Sequence, residues 1–196
     1  AVEQYKNMDK TLAADQFPRS IKPDGSFETN QSDWWTSGFF PGTLWYLYEY
    51  SKDPVIKEIA IRRTQAVEKE KFNERDHDIG FKTYCSFGNG LRLTGDTSYQ
   101  SVLMTAAKTL TLRYDSTVQS IRSWGKRTDN VNPFLVIIDN MMNLELLFWA
   151  TRHSGDSTFY KIAVTHANTT LKNHFRPDGS SYHVVEYDPQ NGQVQK

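Results

Sequence analysis

The sequence has little cysteine, no excess of charge and no long apolar run. Cys85 is the only cysteine among 196 residues, which excludes an internal disulfide and any cysteine-rich metal site. The 23 basic and 23 acidic side chains cancel, which argues against broad nucleic-acid binding, because that needs a basic surface. No apolar run is long enough to cross a bilayer, and residues 1–5 lack a basic and apolar leader. We therefore expect one domain of ordinary size, without a nucleic-acid partner or a membrane span.

Aromatic residues, by contrast, are abundant. Trp, Tyr and Phe make up 13% of the chain, and many of them lie in two stretches, 34–50 and 72–87. Core packing accounts for many of these rings, because each ring buries a large apolar area. Small and polar residues are interspersed among the rings, and this mixture is more typical of a lined pocket.

A weak internal repeat divides the chain into helical hairpins. Three short segments, 51–53, 94–96 and 154–156, each end one helical pattern and begin another. Gly suits the left-handed residue that ends a helix, and Asp suits the N-cap of the next helix. An apolar inner helix is predicted before each segment and an amphipathic outer helix after it. The predicted inner helices are 36–50, 79–93 and 139–152, and the predicted outer helices are 54–72, 97–114 and 157–175.

Repeated inner and outer helices predict an all-α fold of the α/α toroid type, with function in the long loops at one end. Long segments lead from outer to inner helices at 18–33, 73–78 and 115–138. Asp33, Asp78 and Asp139 lie where an inner helix begins, so we expect all three at one mouth. The last stretch, 181–187, alternates like a strand or an extended loop. About three hairpins do not close a ring, so we interpret residues 1–196 as the N-terminal half of a larger toroid.

Asp78 and Asp139 are the strongest candidates for chemistry. Asp139 follows the apolar run 134–138, and Asp78 precedes an aromatic-rich inner helix. A carboxylate at the edge of an apolar run must be hydrogen-bonded or protonated, because burying an unpaired charge is costly. Two carboxyl groups in one cleft, one ionised and one protonated, are the usual groups for acid/base chemistry on sugars. For both residues, and for Asp33, a helix N-cap is the structural alternative.

Several motifs, in their order and spacing, resemble the unsaturated glucuronyl hydrolases of glycoside hydrolase family 88. They are Asp-Trp-Trp-Thr-Ser-Gly-Phe-Phe-Pro-Gly at 33–42, His-Asp-Ile-Gly-Phe at 77–81, Trp124, Asp-Asn-Met-Met-Asn-Leu at 139–144 and Ser-Tyr-His-Val-Val at 181–185. The resemblance covers nearly the whole chain and implies a barrel of about twice this length, so that residues 1–196 would be the N-terminal half of a single α/α-barrel catalytic domain. A later Arg-Gly-Gln-Ala-Trp type motif of the family, expected to add active-site contacts, is absent from this chain.

The resemblance implies a glycosidase that works by hydration. Family members remove the 4,5-unsaturated uronic acid that polysaccharide lyases leave at the non-reducing end of glycosaminoglycan-type oligosaccharides. A carboxylic acid protonates C4 of the vinyl ether, water adds at C5, and the hemiketal opens and releases the remaining sugar. The expected partner is therefore an unsaturated oligosaccharide, with no cofactor, and the oligomeric state stays open.

The resemblance also assigns residues to roles. It makes Asp139 the acid/base, and it makes Asp78 a second essential carboxylate that holds sugar hydroxyls and tunes Asp139. The positions implied to bind the substrate are Trp35, Phe39, Trp124 and His183. Packing is the alternative for Trp35 and Phe39, because residues four apart share a helix face.

A metal site is not expected. His77 stands beside Asp78, but no second histidine follows at ligand spacing. Two other functions stay open: an unsaturated rhamnogalacturonyl hydrolase, and an oligosaccharide-binding toroid without turnover. We expect a periplasmic or extracellular location, with the leader missing from the sequence.

Overall fold

The computed structural model describes residues 1–125 and 133–196. Residues 126–132, part of the predicted long segment 115–138, lie outside the described residues. The chain divides into two compact units, which we describe separately. The first unit is Ala1–Lys71 with Phe81–Leu103, and the second is Phe72–Gly80 with Met104–Lys196.

Helices make up most of the described residues. The α-helices are α1 (Val2–Thr11), α2 (Phe39–Ser51), α3 (Pro54–Gln65), α4 (Ile79–Thr83), α5 (Asn89–Thr94), α6 (Ser98–Thr111), α7 (Leu144–Ser154) and α8 (Ser157–His174). Strands pair antiparallel as β1 (Phe17–Ile21) with β2 (Phe27–Asn30), β3 (Tyr114–Asp115) with β4 (Ser120–Ile121), and β5 (Phe134–Ile137) with β6 (Val184–Tyr187). Turns of 3-10 helix lie at Trp35–Gly38, Glu68–Phe72 and Ile138–Asn143, and Tyr84–Gly88 is π-helical.

The tight turns between inner and outer helices form as predicted. Gly95 and Gly155 adopt positive φ angles at the ends of α5 and α7, and Lys52 takes the same left-handed conformation after α2. The Asp53 carboxylate caps α3 by accepting two backbone N–H groups, and Asp156 caps α8 by accepting one. These local signals therefore set the hairpin boundaries.

Several predicted helices differ in their bounds or their helical type; the inner helix predicted at 36–50, for example, begins as the 3-10 turn Trp35–Gly38. The outer helix predicted at 54–72 ends as α3 at Gln65, and a 3-10 turn follows in which Glu70 is buried and accepts a hydrogen bond from Ser32 Oγ. The inner helix predicted at 79–93 contains a π-helical segment, inside which the Ser86 hydroxyl donates to the Lys82 carbonyl. The inner helix predicted at 139–152 begins with a 3-10 turn, because β5 leads directly into it. Helix α1 was not predicted.

The first unit is built around α2 and α3. Trp45 of α2 is fully buried, and its Nε1 donates to Thr64 Oγ1 of α3 at 2.9 Å. Arg63 is also buried, and its Nε donates to the Asp9 carboxylate at 2.7 Å. The same guanidinium donates to backbone carbonyls at the end of α1, including Leu12. Helix α1 is therefore held by a buried ion pair.

The second unit combines the α7–α8 hairpin with the β5–β6 sheet. In this sheet Ile137 pairs with Val184 and Phe134 pairs with Tyr187. Inward side chains of both strands form a buried cluster with Val118; from the sheet it contains Phe134, Val136, Val185 and Tyr187. The predicted extended stretch 181–187 thus contains a strand, and the sheet fixes the residues that follow β5.

Candidate active site

Asp78 and Asp139 approach the same nitrogen atom within the second unit. The Nε2 atom of His77 lies 3.0 Å from Asp78 Oδ1 and 3.7 Å from Asp139 Oδ1. His77 is almost fully buried, whereas the Asp78 and Asp139 side chains are 13% and 39% exposed. The fold therefore brings together the two carboxyl groups selected from the sequence, with an imidazole between them.

The two oxygens of Asp139 have different surroundings. Oδ1 is buried and has no hydrogen-bond partner among the described residues. Because the side chain as a whole is 39% exposed, its exposure lies on the remaining atoms, which include Oδ2. The N-cap alternative for Asp139 is wrong: the 3-10 turn has Ile137 at its N-cap and lacks a side-chain cap bond. Asp139 thus presents one oxygen to His77 and the other towards solvent.

Strand β5 and the turn after it hold Asp139 in place. The backbone N–H of Ile138 donates to the carbonyl of His183 at 2.9 Å, which extends the β5–β6 pairing up to Asp139. On the other side, Nδ2 of the buried Asn140 donates to the Ile121 carbonyl at 2.7 Å. The backbone is therefore fixed on both sides of the carboxyl group, and His183 lies across the sheet from it.

A buried arginine holds the segment that carries Asp78. The Arg113 guanidinium donates to the carbonyls of Glu74, Arg122, Ser123 and Gly125. Burial lowers the pKa of Arg113 to about 10, against the opposing effect of nearby carboxylates that include Asp76 and Asp78. Arg113 therefore stays cationic at neutral pH.

Asn143 and Gly80 pack against each other beside Asp78. A Cβ atom on Gly80 would lie 2.2 Å from Asn143 Oδ1, so only glycine fits here. Asn143 Nδ2 in turn donates to Asn140 Oδ1 at 2.7 Å, and both asparagines are buried. This contact connects the segment after Asp78 with the turn that carries Asp139.

Sequence reasoning missed several of these residues. The sequence suggests only a metal ligand as a role for His77, and its place next to Asp78 is the signal that it could be a partner of that carboxylate. Ser123 has no signal in the sequence, and Asn140 stands there only as one residue of the motif at 139–144, because the importance of both comes from hydrogen bonds to distant segments. The buried Arg113 likewise had no recognisable pattern.

The predicted aromatic positions lie in both units. In the first unit, Trp35 is 47% exposed and its ring meets Phe39 edge-on at 5.9 Å, so the two residues do share a face. Phe39 also stacks on Phe81 at 5.6 Å and lines an open, mainly apolar cavity of about 320 Å³. In the second unit, Trp124 is 48% exposed and directly follows Ser123. The position of Asp33 at the same mouth as the other two aspartates stays a prediction.

Among the described residues, no helix combines the length and the apolar character that crossing a membrane would need.

The chain is similar in sequence to known carbohydrate-active proteins. An unsaturated glucuronyl hydrolase from Formosa agariphila is 52% identical over 186 residues, which are 93% of this chain and 46% of that protein. One from Bacillus sp. strain GL1 is 34% identical over 91% of this chain and 48% of its own length. An unsaturated chondroitin disaccharide hydrolase from Streptococcus pneumoniae is 32% identical over 91% of this chain and 46% of its own length. No family model matches the chain.

Solved structures give the same result. A heparin-specific unsaturated glucuronyl hydrolase superposes with a TM-score of 0.92 at 44% identity, covering all of this chain and 52% of that one. The enzyme from Bacillus sp. GL1 gives 0.89 at 32% identity, covering 98% of this chain and 51% of its own. These matches confirm the predicted fold class, that of the α/α toroid hydrolases. The chain belongs to the unsaturated glucuronyl hydrolase family, and it spans about half the length of the relatives it matches.

Proposed function

We propose that the protein removes a 4,5-unsaturated uronic acid from the non-reducing end of lyase-generated oligosaccharides, by hydrating the C4=C5 bond. The observation that carries this proposal is the approach of Asp78 and Asp139 to one His77 nitrogen. Residues 1–196 would then be the N-terminal half of one α/α-barrel catalytic domain. A periplasmic or extracellular location also stays a proposal.

The reaction requires a proton at C4 and a water molecule at C5. Protonation of C4 and addition of hydroxide at C5 convert the vinyl ether into a hemiketal. When the bond between C5 and the ring oxygen breaks, C5 becomes a ketone and C1 becomes a hemiacetal. The hemiacetal then releases the remaining oligosaccharide as an alcohol, while C1 becomes an aldehyde. An acid/base group within reach of both carbons can serve each proton transfer.

Asp139 suits the role of this acid/base. Its exposed side can meet the substrate, while the buried Oδ1 faces His77. The fixed backbone on both sides of Asp139 reduces the freedom of the carboxyl group, as proton transfer over a short distance requires. Asp78, which is less exposed and lies within hydrogen-bond distance of His77, would bind sugar hydroxyls and tune Asp139 electrostatically.

Exposed rings and a second histidine would complete the sugar site. Trp124 and His183 lie next to residues that position the carboxyl pair, Ser123 and Ile138 respectively. Trp35 and Phe39 offer ring faces of the kind that pack against the C–H faces of a pyranose. These four roles follow from the family resemblance and from their partly exposed positions.

We propose a glycosaminoglycan-type substrate. One matched structure is described as specific for heparin, and sequence relatives from streptococci are named for unsaturated chondroitin disaccharides. An aspartate-to-asparagine variant of the Streptococcus agalactiae enzyme, matched with a TM-score of 0.76, was solved with dGlcA-GalNAc6S. The substrate panel should therefore contain both heparin-type and chondroitin-type disaccharides.

The test mixes the full-length protein with each unsaturated disaccharide and follows the ultraviolet absorbance of the sugar's C4=C5 bond. The wild type should remove this absorbance from at least one of the two disaccharide types, and Asp139→Asn should not. Asp15→Asn is the matched control, because it makes the same change at an exposed site and should keep activity. If the protein turns over only an unsaturated rhamnogalacturonan disaccharide, the glycosaminoglycan-type substrate is wrong and the rhamnogalacturonyl hydrolase alternative is right. If the protein binds these disaccharides but turns over none of them, the alternative of an oligosaccharide-binding toroid without turnover is favoured.

A further inference from the structure

The Ser123 hydroxyl group connects strand β5 with His77. Its Oγ atom accepts a hydrogen bond from the backbone N–H of Ile137 at 2.8 Å and lies 2.9 Å from His77 Nδ1. Ser123 and His77 are 0% and 1% exposed. Water does not compete for hydrogen bonds in such a place, so these contacts fix the geometry strongly.

The neighbouring carboxylate determines the direction of these hydrogen bonds. Asp78 Oδ1 lies 3.0 Å from His77 Nε2, and an ionised carboxylate can only accept. Nε2 must therefore carry a proton, since a lone pair there would face the lone pairs of the oxygen. In a neutral imidazole the other nitrogen, Nδ1, is then an acceptor. With the ring in this neutral form, the Ser123 hydroxyl donates to Nδ1.

The backbone of Ser123 is fixed as well. Its N–H donates to the Leu135 carbonyl at 2.8 Å, and its carbonyl accepts the backbone N–H of His77 at 3.1 Å. The Ser123 side chain and main chain thus both contact His77, and the hydroxyl group has little freedom to turn elsewhere. Buried contacts of this kind are typical of groups that orient an active-site side chain.

We propose that Ser123 is a positioning residue for the reaction proposed above. It holds His77 as the tautomer with its proton on Nε2 and turns that N–H group towards Asp78 and Asp139. Ser123 itself does not touch the substrate, because it is buried behind His77. This inference rests on the proposed function for its catalytic consequence, but the tautomer of His77 can be measured without it.

The first test measures the His77 ring by nitrogen NMR in the full-length protein with labelled histidine. The His77 signals are assigned by their absence from His77→Gln. The wild type should show one neutral tautomer, protonated at Nε2, and Ser123→Ala should lose this single state. Ser123→Thr, which keeps a hydroxyl group, should retain it. A wild-type proton on Nδ1, or an unchanged His77 spectrum in Ser123→Ala, would overturn the proposal.

The second test is a double-mutant cycle on kcat. Ser123→Ala should lower kcat about tenfold in the wild-type background, and less than about twofold in His77→Gln, because Ser123 acts through His77. Equal losses in both backgrounds would indicate a general structural role and refute the proposal. If Ser123→Ala does not fold, Ser123→Cys replaces it. The wild-type spectrum alone still tests which nitrogen of His77 carries the proton. A wild type inactive on every disaccharide contradicts the proposed function but leaves the tautomer assignment standing.

Discussion

Acid should destabilise the protein through His166, a residue of α8. The ring is fully buried, and its Nδ1 accepts the backbone N–H of Ile121 at 3.2 Å. Its Nε2 has no hydrogen-bond partner within residues 1–125 and 133–196. Burial in the first place, and then the nearby His77 and His174, lower the pKa of His166 to about 3. The folded protein therefore holds this ring neutral at pH values where an exposed histidine is charged.

The sign and size of the effect follow from proton linkage. Below about pH 6.5 the unfolded chain protonates His166 and the folded chain does not, so the unfolded state binds more protons. Stability is fully present above this pH and decreases as the pH falls towards about 3. One pKa unit corresponds to about 1.4 kcal/mol, so His166 should cost about 2 kcal/mol at about pH 5. Burial also lowers the pKa of His174, which acts in the same direction.

His166→Asn tests this argument, because an amide oxygen can replace Nδ1 as the acceptor for Ile121 but does not titrate. Urea unfolding at about pH 7.5 and about pH 5 gives the free energy of unfolding for each variant. The loss of stability on acidification should be about 2 kcal/mol smaller in His166→Asn than in the wild type. His153→Asn, at an exposed histidine, should behave like the wild type. Equal losses in the wild type and His166→Asn would refute the reasoning.

Three further changes test contacts within the second unit. Gly80→Ala places a Cβ atom 2.2 Å from Asn143 Oδ1, so it should lower the free energy of unfolding in urea by about 1–3 kcal/mol and also lower kcat. An unaltered kcat would show that this contact does not position Asp78. Arg113→Met removes the donor to four backbone carbonyls, of which those of Arg122 and Ser123 belong to buried residues. It should lower the free energy of unfolding by about 3 kcal/mol or more, and a loss below about 1 kcal/mol would contradict this. Asp156→Ala removes the cap of α8 and should cost about 1 kcal/mol, whereas Asp156→Asn should keep most of the stability.

Local rules account for the parts of the fold that could be predicted from the sequence. Asp53 and Asp156 cap helices, and Gly95 and Gly155 end them, because these signals act within one or two turns of chain. Asp139 is recognisable in the sequence because a carboxyl group next to an apolar run is unusual. Helix type was harder to predict, since β5 imposes the 3-10 turn at Ile138–Asn143 from outside the helical pattern.

The rest could not be predicted because it depends on one ordinary-looking segment, residues 120–123, and on its partners far along the chain. The backbone N–H of Ile121 donates to His166, and the Ile121 carbonyl accepts from Asn140. The Ser123 carbonyl accepts the backbone N–H of His77. Asn140 follows Asp139 and His77 precedes Asp78, so this segment sets the distance between the two carboxyl groups. Protonation of His166 would remove the acceptor of Ile121, and so act on the segment that aligns both aspartates. Acid should therefore weaken the fold and the geometry of the site together.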